Sequence, residues 1–269
     1  MPNLETYYNT FNEDKRLHSR HGRLEFRTSM KYIHECLSGI EQASGKSKSQ
    51  IRILDIGAGC GAYTIPLSEE GYDVTAIEPV HPNLGRLRAK ATKAAVYEGN
   101  ALNLKRFEAE SFDLIIMFGP MYHLKTMEDK QRALAEARRV LRSGGYLLAA
   151  YIMNEYAVLT YGFTEGHIKE SLKDGRMGED FRCICTDLDL YSFSRMEDLN
   201  FLRDNGGFKT VKRFSQDGPA NYMRQTVNAM EEEAYELFCR YHLSTCERED
   251  LLGAATHVVD ILAKQEDAE

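Results

Sequence analysis

Between residues 51 and 152 the chain alternates short apolar runs with helical segments, and this rhythm constrains the fold more than any other feature. The runs "IRILDIG", "YDVTAIEP", "AAVYEG", "FDLIIMFGP" and "YLLAAYIM" read as buried strands. Between them, "AYTIPLSEEG" and "NLGRLRAKAT" read as helices, as does "MEDKQRALAEARRVLRSGG", which Gly144 is expected to end. Strands alternating with helices imply βαβ units with right-handed crossovers, and hence a parallel sheet covered on both faces. Ligands of such sheets bind beyond the carboxyl ends of the strands. The exits at 55–62, 78–79, 99–102 and 118–124 are therefore where chemistry is expected.

After residue 152 the rhythm breaks. Residues 153–193 mix Tyr, Gly and charge without a period and read as an insertion. "SRMEDLNFLRDNGGF" predicts a helix with Ser194 as N-cap, "FKTVKRFS" a sixth strand and "THVVDILAK" a last one. Met223, Val227, Met230, Ala234, Leu237, Phe238 and Tyr241 form a helical stripe over 220–245, read as core. Residues 1–45 form a helical lead and 46–269 the main domain, with cap insertions at 153–193 and 217–252. The expected fold is α/β: a doubly wound, mostly parallel seven-stranded sheet with a helical cap.

Composition excludes several classes. No apolar run reaches the ~18 residues that a membrane span needs, and the start lacks the apolar centre of a secretory signal. A cytoplasmic address is expected. The formal net charge of -7 disfavours a nucleic-acid partner. A basic stretch with Lys15, Arg16, Arg20, Arg23, Arg27 and Lys31 is the exception. It reads as a solvated face, as does the acidic "MEEEAYE" at 230–236. Six cysteines without a C-x-x-C pair do not read as a disulfide framework. Cys239, His242 and Cys246 have metal-like spacing on one helix, but one helix rarely supplies a whole site, and no metal is expected.

The first loop, "ILDIGAGCGAYTIPL", poses the functional question. Gly57, Gly59 and Ala62 fit the G-x-G-x-x-G/A spacing of a dinucleotide turn. Asp55, however, stands where a pyrophosphate would approach, and its charge would repel that group. A carboxylate there suits a cationic ligand. Glu78 closes the second strand about 20 residues on, where an acid can accept ribose hydroxyls. A nucleoside joined to a cation, without phosphate, describes S-adenosylmethionine.

"LDIGAGCGAYTIPL", "VTAIEP", "YEGNAL" and "FDLIIMFGPMYHL" resemble, in order and spacing, the cofactor motifs of class I S-adenosylmethionine-dependent methyltransferases, which are Rossmann-like. "GPMYHL" is similar to a motif of uncharacterised bacterial members. The resemblance covers 51–152 and extends to the strands near 208–215 and 256–264. It implies that Asp55 and the backbone of Gly57, Ala58 and Gly59 hold the methionine moiety, with Gly61 permitting tight helix entry. It implies Glu78 on the ribose hydroxyls and Pro79 against the adenine. Asn100, where many members carry Asp, would face the adenine amino group, and Ala101 N–H its ring nitrogen. Phe118 and Gly119 would offer backbone groups to the methionine end.

Methyl transfer from a sulfonium needs alignment more than functional groups, so a missing triad does not argue against an enzyme. His123 is the candidate base and Tyr122 a candidate substrate contact, each with a packing role as the alternative. His167 and His257 have no supporting motif. The fourth strand exit lacks the N/D-P-P-Y/F pattern of base and amide methylation, no Pro-Cys pair occurs, and no catechol-type magnesium ligand set is recognisable. A small-molecule acceptor is expected, with S-adenosylhomocysteine as the cofactor product. Tyr7, Tyr8, Tyr156 and Tyr161 are candidates for lining an enclosed pocket. The alternatives are an RNA or protein methyltransferase, a non-catalytic cofactor-binding protein and an NAD-dependent oxidoreductase. The oligomeric state is left open.

Overall fold

The computed structural model describes residues 19–90 and 93–265. Tyr7, Tyr8, Lys15 and Arg16 lie outside them. Seven strands form one sheet: β1 Arg52–Ile56, β2 Asp73–Glu78, β3 Ala95–Glu98, β4 Phe112–Met117, β5 Leu141–Ile152, β6 Phe208–Ser215 and β7 His257–Lys264. Their spatial order is β3-β2-β1-β4-β5-β7-β6. β1 to β5 pair in parallel, whereas β7 runs antiparallel to both β5 and β6. The order reverses between β1 and β4, the switch point at which a doubly wound sheet opens a crevice.

Alternation along the strands feeds two cores. Leu54, Ile56, Ile115 and Met117 face a helix at Met127–Val140, which buries Ala133, Leu134 and Ala137 on them. Thr126 caps that helix by accepting from Asp129 N–H at 3.1 Å, worth about 1 kcal/mol. Ile53, Leu114 and Ile116 face the other way, toward α1, Arg20–Ser44. Tyr32, Ile33 and Leu37 of α1 are fully buried there, each worth roughly 1.5–3 kcal/mol.

Three expectations are corrected. The helix after β4 stops at Val140, not at Gly144. Leu141 already pairs with Phe112, and a Cβ on Gly145 would fall 2.5 Å from the Asp113 carbonyl oxygen. The glycine pair thus lets β5 slip past β4 through a register shift. Arg195, not Ser194, caps the next helix, since its N–H reaches Asp198 Oδ2 at 2.8 Å. Ser194 instead donates its N–H to Ile152, extending the exit of β5. Finally, 220–245 is two helices, Arg224–Ala229 and Glu232–Thr245. Val227, Tyr235, Cys239 and His242 are buried, while Met223, Leu237 and Tyr241 are exposed, so the break at Met230 turns the apolar face.

The basic and acidic stretches face each other. Arg20 reaches Glu232 at 3.1 Å and Arg27 reaches Glu236 at 2.6 Å, docking α1 on the helix Glu232–Thr245. No described helix is long and apolar enough to cross a membrane.

Candidate functional site

The loop after β1 spends its N–H groups on the protein itself. Gly57 N–H and Ala58 N–H both donate to the Ile77 carbonyl, at 2.8 and 3.1 Å. Gly59 N–H donates to Glu78 Oε2 at 2.8 Å, and Val80 N–H to Glu78 Oε1 at 2.9 Å. Gly57 has φ +73, and a Cβ there would meet the Pro120 ring at 3.1 Å. The helix that follows begins only at Thr64. A phosphate cradle depends on loop N–H groups aimed at the ligand from a helix start. Here the N–H groups of Gly57, Ala58 and Gly59 are committed within the protein, and Asp55 is buried just ahead of the loop, an arrangement that disfavours a pyrophosphate.

Asp55 and Glu78 are each only 3% exposed. Asp55 Oδ2 accepts from Thr64 Oγ1 at 2.6 Å. Burial, reinforced by the nearby Glu78 charge, pushes its carboxyl up to about 7 in spite of that bond. Burial also raises Glu78, against the pull of the Val80 and Gly59 N–H groups. Among the described residues no cation is named as acting on either acid, and two buried acids form a place that a positive ligand relieves. These residues fit a nucleoside carrying positive charge.

The other strand exits take varied parts. Pro79 is half-buried beside Glu78, and Ala101 is buried. Asn100 is exposed, and its Oδ1 accepts from Leu102 N–H at 2.9 Å. It thus makes the local turn bond that Asn favours, and its Oδ1 keeps a second lone pair. Phe118 packs edge-on against Tyr63 at 5.1 Å, and Tyr63 stacks on Phe26 of α1 at 5.7 Å. These three rings pack in a row against the core beneath α1, and Phe118 directly precedes Gly119 at the β4 exit.

"GPMYHL" forms a single helical turn, Pro120–His123, clamped by the insertion. Tyr122 Oη donates to the Phe118 carbonyl at 2.5 Å, and Ser192 N–H donates to the Tyr122 carbonyl at 2.7 Å. His123 Nδ1 lies 3.1 Å from the Leu190 carbonyl oxygen. Burial pushes the His123 imidazole down to about 4. Uncharged at neutral pH, it fastens the insertion to the turn by donating Nδ1–H to the Leu190 carbonyl. Tyr161, expected in a pocket, is 40% exposed and stacks on His167 at 4.3 Å. Tyr156 is half-buried against Tyr222 at 5.3 Å.

The sequence reading missed a second cluster. His257 opens β7 opposite Ile152, the last residue of β5, because β7 runs backwards through the sheet. It therefore sits at the edge where the parallel strands end. Asp217, just past β6, accepts from His257 N–H at 3.1 Å and lies 2.7 Å from His257 Nδ1 through its Oδ2. Glu25 of α1 adds a second carboxylate. One ligand atom from each of Glu25, Asp217 and His257 lies within 4.8 Å of the others. Glu25 and Asp217 are 7% and 1% exposed. Gln216 Nε2 donates to Ser29 Oγ at 2.8 Å, tying α1 to this corner. The Tyr122 ring lies 6.0 Å from the His257 ring, so the cluster adjoins the β4 exit. An antiparallel final strand was the available signal, since its first residue necessarily falls at the ligand edge. Cys239, His242 and Cys246, whose spacing alone is metal-like, lie elsewhere on their helix, and Cys246 Sγ is 3.1 Å from Tyr32 Oη.

Residues 54–149 match the family model described as a methyltransferase domain. An uncharacterized methyltransferase of Mycobacterium tuberculosis is 35% identical over 96 residues, covering 36% of this chain and 37% of that protein. A glycine/sarcosine N-methyltransferase of Aphanothece halophytica is 30% identical over 121 residues, covering 43% and 45%. The chain thus spans about two fifths of the length of these curated relatives. Among solved structures, a SAM-dependent methyltransferase of Thermotoga maritima, a possible histamine N-methyltransferase, superposes with TM-score 0.55 over 97% of this chain and 98% of its own. Its identity is 20%, so the likeness is one of fold. One from Leishmania major gives TM-score 0.58 at 14% identity over 96% of this chain and 81% of its own.

Proposed function

From a methyltransferase domain at residues 54–149 on a class I, Rossmann-like fold, we propose that this chain transfers the methyl group of S-adenosylmethionine to a small-molecule acceptor by in-line displacement. The observation that carries the cofactor half is the loop itself: its N–H groups at 57, 58 and 59 are engaged, and the buried Asp55 carboxylate stands beside the first glycine, with the buried Glu78 at the end of β2. Asp55 and the backbone of Gly57, Ala58 and Gly59 would hold the methionine end, with Phe118 and Gly119 offering backbone groups. Glu78 would accept the ribose hydroxyls with its remaining lone pairs, and Pro79, Asn100 and Ala101 would border the adenine.

The cofactor, when bound, supplies a methyl group on a sulfonium, with a neutral thioether as leaving group. The protein's part is alignment and exclusion of water, and orientation alone supplies roughly 7–11 kcal/mol of such a barrier. Phe26, Tyr63 and Phe118, an apolar row that ends at the β4 exit, would wall the crevice. The clamp from Leu190 and Ser192 fixes Tyr122 and His123 at its rim. A small acceptor is favoured over RNA because Arg20 and Arg27 of the basic stretch are engaged by Glu232 and Glu236.

Calorimetric titration with S-adenosylhomocysteine, beside NADH under identical conditions, tests the reading. We expect the homocysteine product to bind, and Glu78→Ala to weaken it about tenfold or more, since a hydrogen bond to a charged group contributes about 1.5–3 kcal/mol. Binding of NADH alone would overturn the proposal and return the loop to the dinucleotide class.

A further inference from the structure

We propose that Thr64 is a positioning residue of the cofactor site: it holds Oδ2 of Asp55, leaves Oδ1 for the ammonium of the cofactor's methionine end, and lets that ammonium displace a proton from Asp55 as it binds. This rests on the methyl-transfer reading above. Thr64 Oγ1 donates to Asp55 Oδ2 at 2.6 Å, and Thr64 is wholly buried. It is the first residue of the helix Thr64–Glu69, so its hydroxyl has no preceding helical turn to bond back to. A β-branched side chain has few χ1 rotamers, and burial fixes the choice. The donor is therefore aimed at Asp55 before any ligand arrives.

Among the described residues, the charged group that acts on Asp55 is Glu78, at the end of β2 and of the same sign. In the sheet Asp55 lies between Ala76 of β2 and Ile116 of β4, both apolar. From the helix side Thr64 supplies its hydroxyl and its N–H. Burial and Glu78 favour the protonated acid, the Thr64 bonds favour the carboxylate, and the carboxyl settles at about 7.

A protonated acid presents no charge to an ammonium. The ammonium therefore binds the carboxylate form, and below about pH 7 the Asp55 O–H must break, its proton passing to the buffer while the electron pair stays on oxygen. Without the Thr64 hydroxyl the carboxylate loses a donor and the proton is held more tightly, so binding at neutral pH becomes weaker. Thr64 thus acts on the ligand through Asp55.

S-adenosylhomocysteine and 5′-methylthioadenosine are titrated calorimetrically into the protein from pH 6 to pH 9, in pairs of buffers that differ in ionisation enthalpy. The second ligand carries the same nucleoside and thioether without the ammonium. Titration of Glu78 at the ribose therefore moves both affinities alike, and their ratio reports Asp55. We expect that ratio to rise about tenfold from pH 6 to pH 8, the scale set by one carboxyl near 7. Roughly half a proton should be released per S-adenosylhomocysteine at pH 7, and none per methylthioadenosine. Thr64→Val, which keeps the shape, should move the midpoint up by about one pH unit. It should thus weaken S-adenosylhomocysteine about fivefold at pH 7 and hardly at all at pH 9. Thr64→Ser should keep the unsubstituted profile, and methylthioadenosine bound within about twofold by both variants shows that they fold. A ratio that stays flat with pH, a Thr64→Val loss equal for both ligands or equal at every pH, or a Thr64→Ser profile that follows Thr64→Val overturns the proposal. Failure of both ligands to bind overturns the methyl-transfer reading instead. Carboxyl-carbon NMR of Asp55 then decides the part of Thr64: a titration moved up by Thr64→Val and not by Thr64→Ser leaves its hold on Asp55 standing, and one that neither variant moves overturns it.

Discussion

Two clusters of buried acids use the same edge of the sheet and are assembled differently. Each buries two carboxylates where the parallel strands end: Asp55 and Glu78 under the cofactor loop, Glu25 and Asp217 beside His257. In the first the acids sit on adjacent paired strands and are held by their own loop, through Thr64, Gly59 and Val80. In the second they come from α1 and from just past β6, far apart in sequence, and are fastened by Gln216 to Ser29 and by Asp217 to His257 at the start of β7. The first is a property of one βαβ unit. The second exists only once the whole sheet has closed.

The largest expected effect separates the two at the level of proton linkage. Asp55 folds with its carboxyl raised to about 7. An acid so raised holds its proton more tightly folded than unfolded. Its stabilising contribution is full below about pH 4, the unfolded value, and is lost as the pH rises through about 7. Asp55→Asn keeps an acceptor for Thr64 Oγ1 and removes the titration. The stability of this variant relative to the unsubstituted protein should therefore grow by on the order of 4 kcal/mol from pH 4 to pH 8. Denaturant unfolding at several pH values measures it, and saturating S-adenosylhomocysteine should shrink the difference because its ammonium compensates Asp55. A flat difference would mean that the Asp55 charge is already balanced, and the loop would lose its need for a positive ligand.

The next effect asks whether the second cluster stands apart from the sheet that carries it. Arg213 of β6 places Nε and Nη2 at 2.9 and 2.7 Å from Asp260 Oδ2 on β7, and Asp260 is 1% exposed. Burial raises the Asp260 carboxyl even with Arg213 beside it. Arg213→Met strands that acid, at a cost of about 3–5 kcal/mol, and adding Asp260→Leu should recover most of the loss. If thermal unfolding stays a single transition, both clusters share one cooperative core. If it splits in two while S-adenosylhomocysteine affinity holds, the β6–β7 edge opens on its own.

The same contrast explains what was legible in the sequence. The strands from Arg52 to Ile152, the glycine turn and the acids at 55 and 78 lie in short contiguous motifs, where local pattern and local chemistry coincide. Asn100 and His123 carried the right residue types at the right exits. Their contacts within the protein were not legible: Leu102 N–H, two residues on, claims Asn100 Oδ1, and Leu190, far off in the insertion, meets the His123 ring. The helix boundary at Val140 was hidden because Gly144 ends helices and also permits the bulge that β5 makes beside Asp113. Glu25, Asp217 and His257 have no shared motif. Only the reversed direction of β7 and the docking of α1 bring them together.

The smallest effect is the sharpest on the acceptor's class, because it touches the one feature that pointed toward RNA. Glu232 pairs with Arg20 at 3.1 Å and with Arg23 at 4.0 Å, all at the surface. Exposed pairs contribute about 0.2–1 kcal/mol and fade with salt. Glu232→Gln should therefore cost less than about 1 kcal/mol in 0.1 M salt and nothing measurable in 1 M. It also frees two arginines at the start of α1, the helix that delivers Glu25 to the cluster. If the acceptor is a small molecule, its KM should be unchanged, because the substitution touches only surface ion pairs of α1. If the acceptor is RNA, the freed cations should strengthen binding and steepen its salt dependence, since each phosphate contact adds to that slope. Fluorescence anisotropy with a labelled single-stranded RNA, run across a salt series, separates the two. Tighter binding with a steeper slope would move the acceptor from a small molecule to an RNA on the basic face of α1.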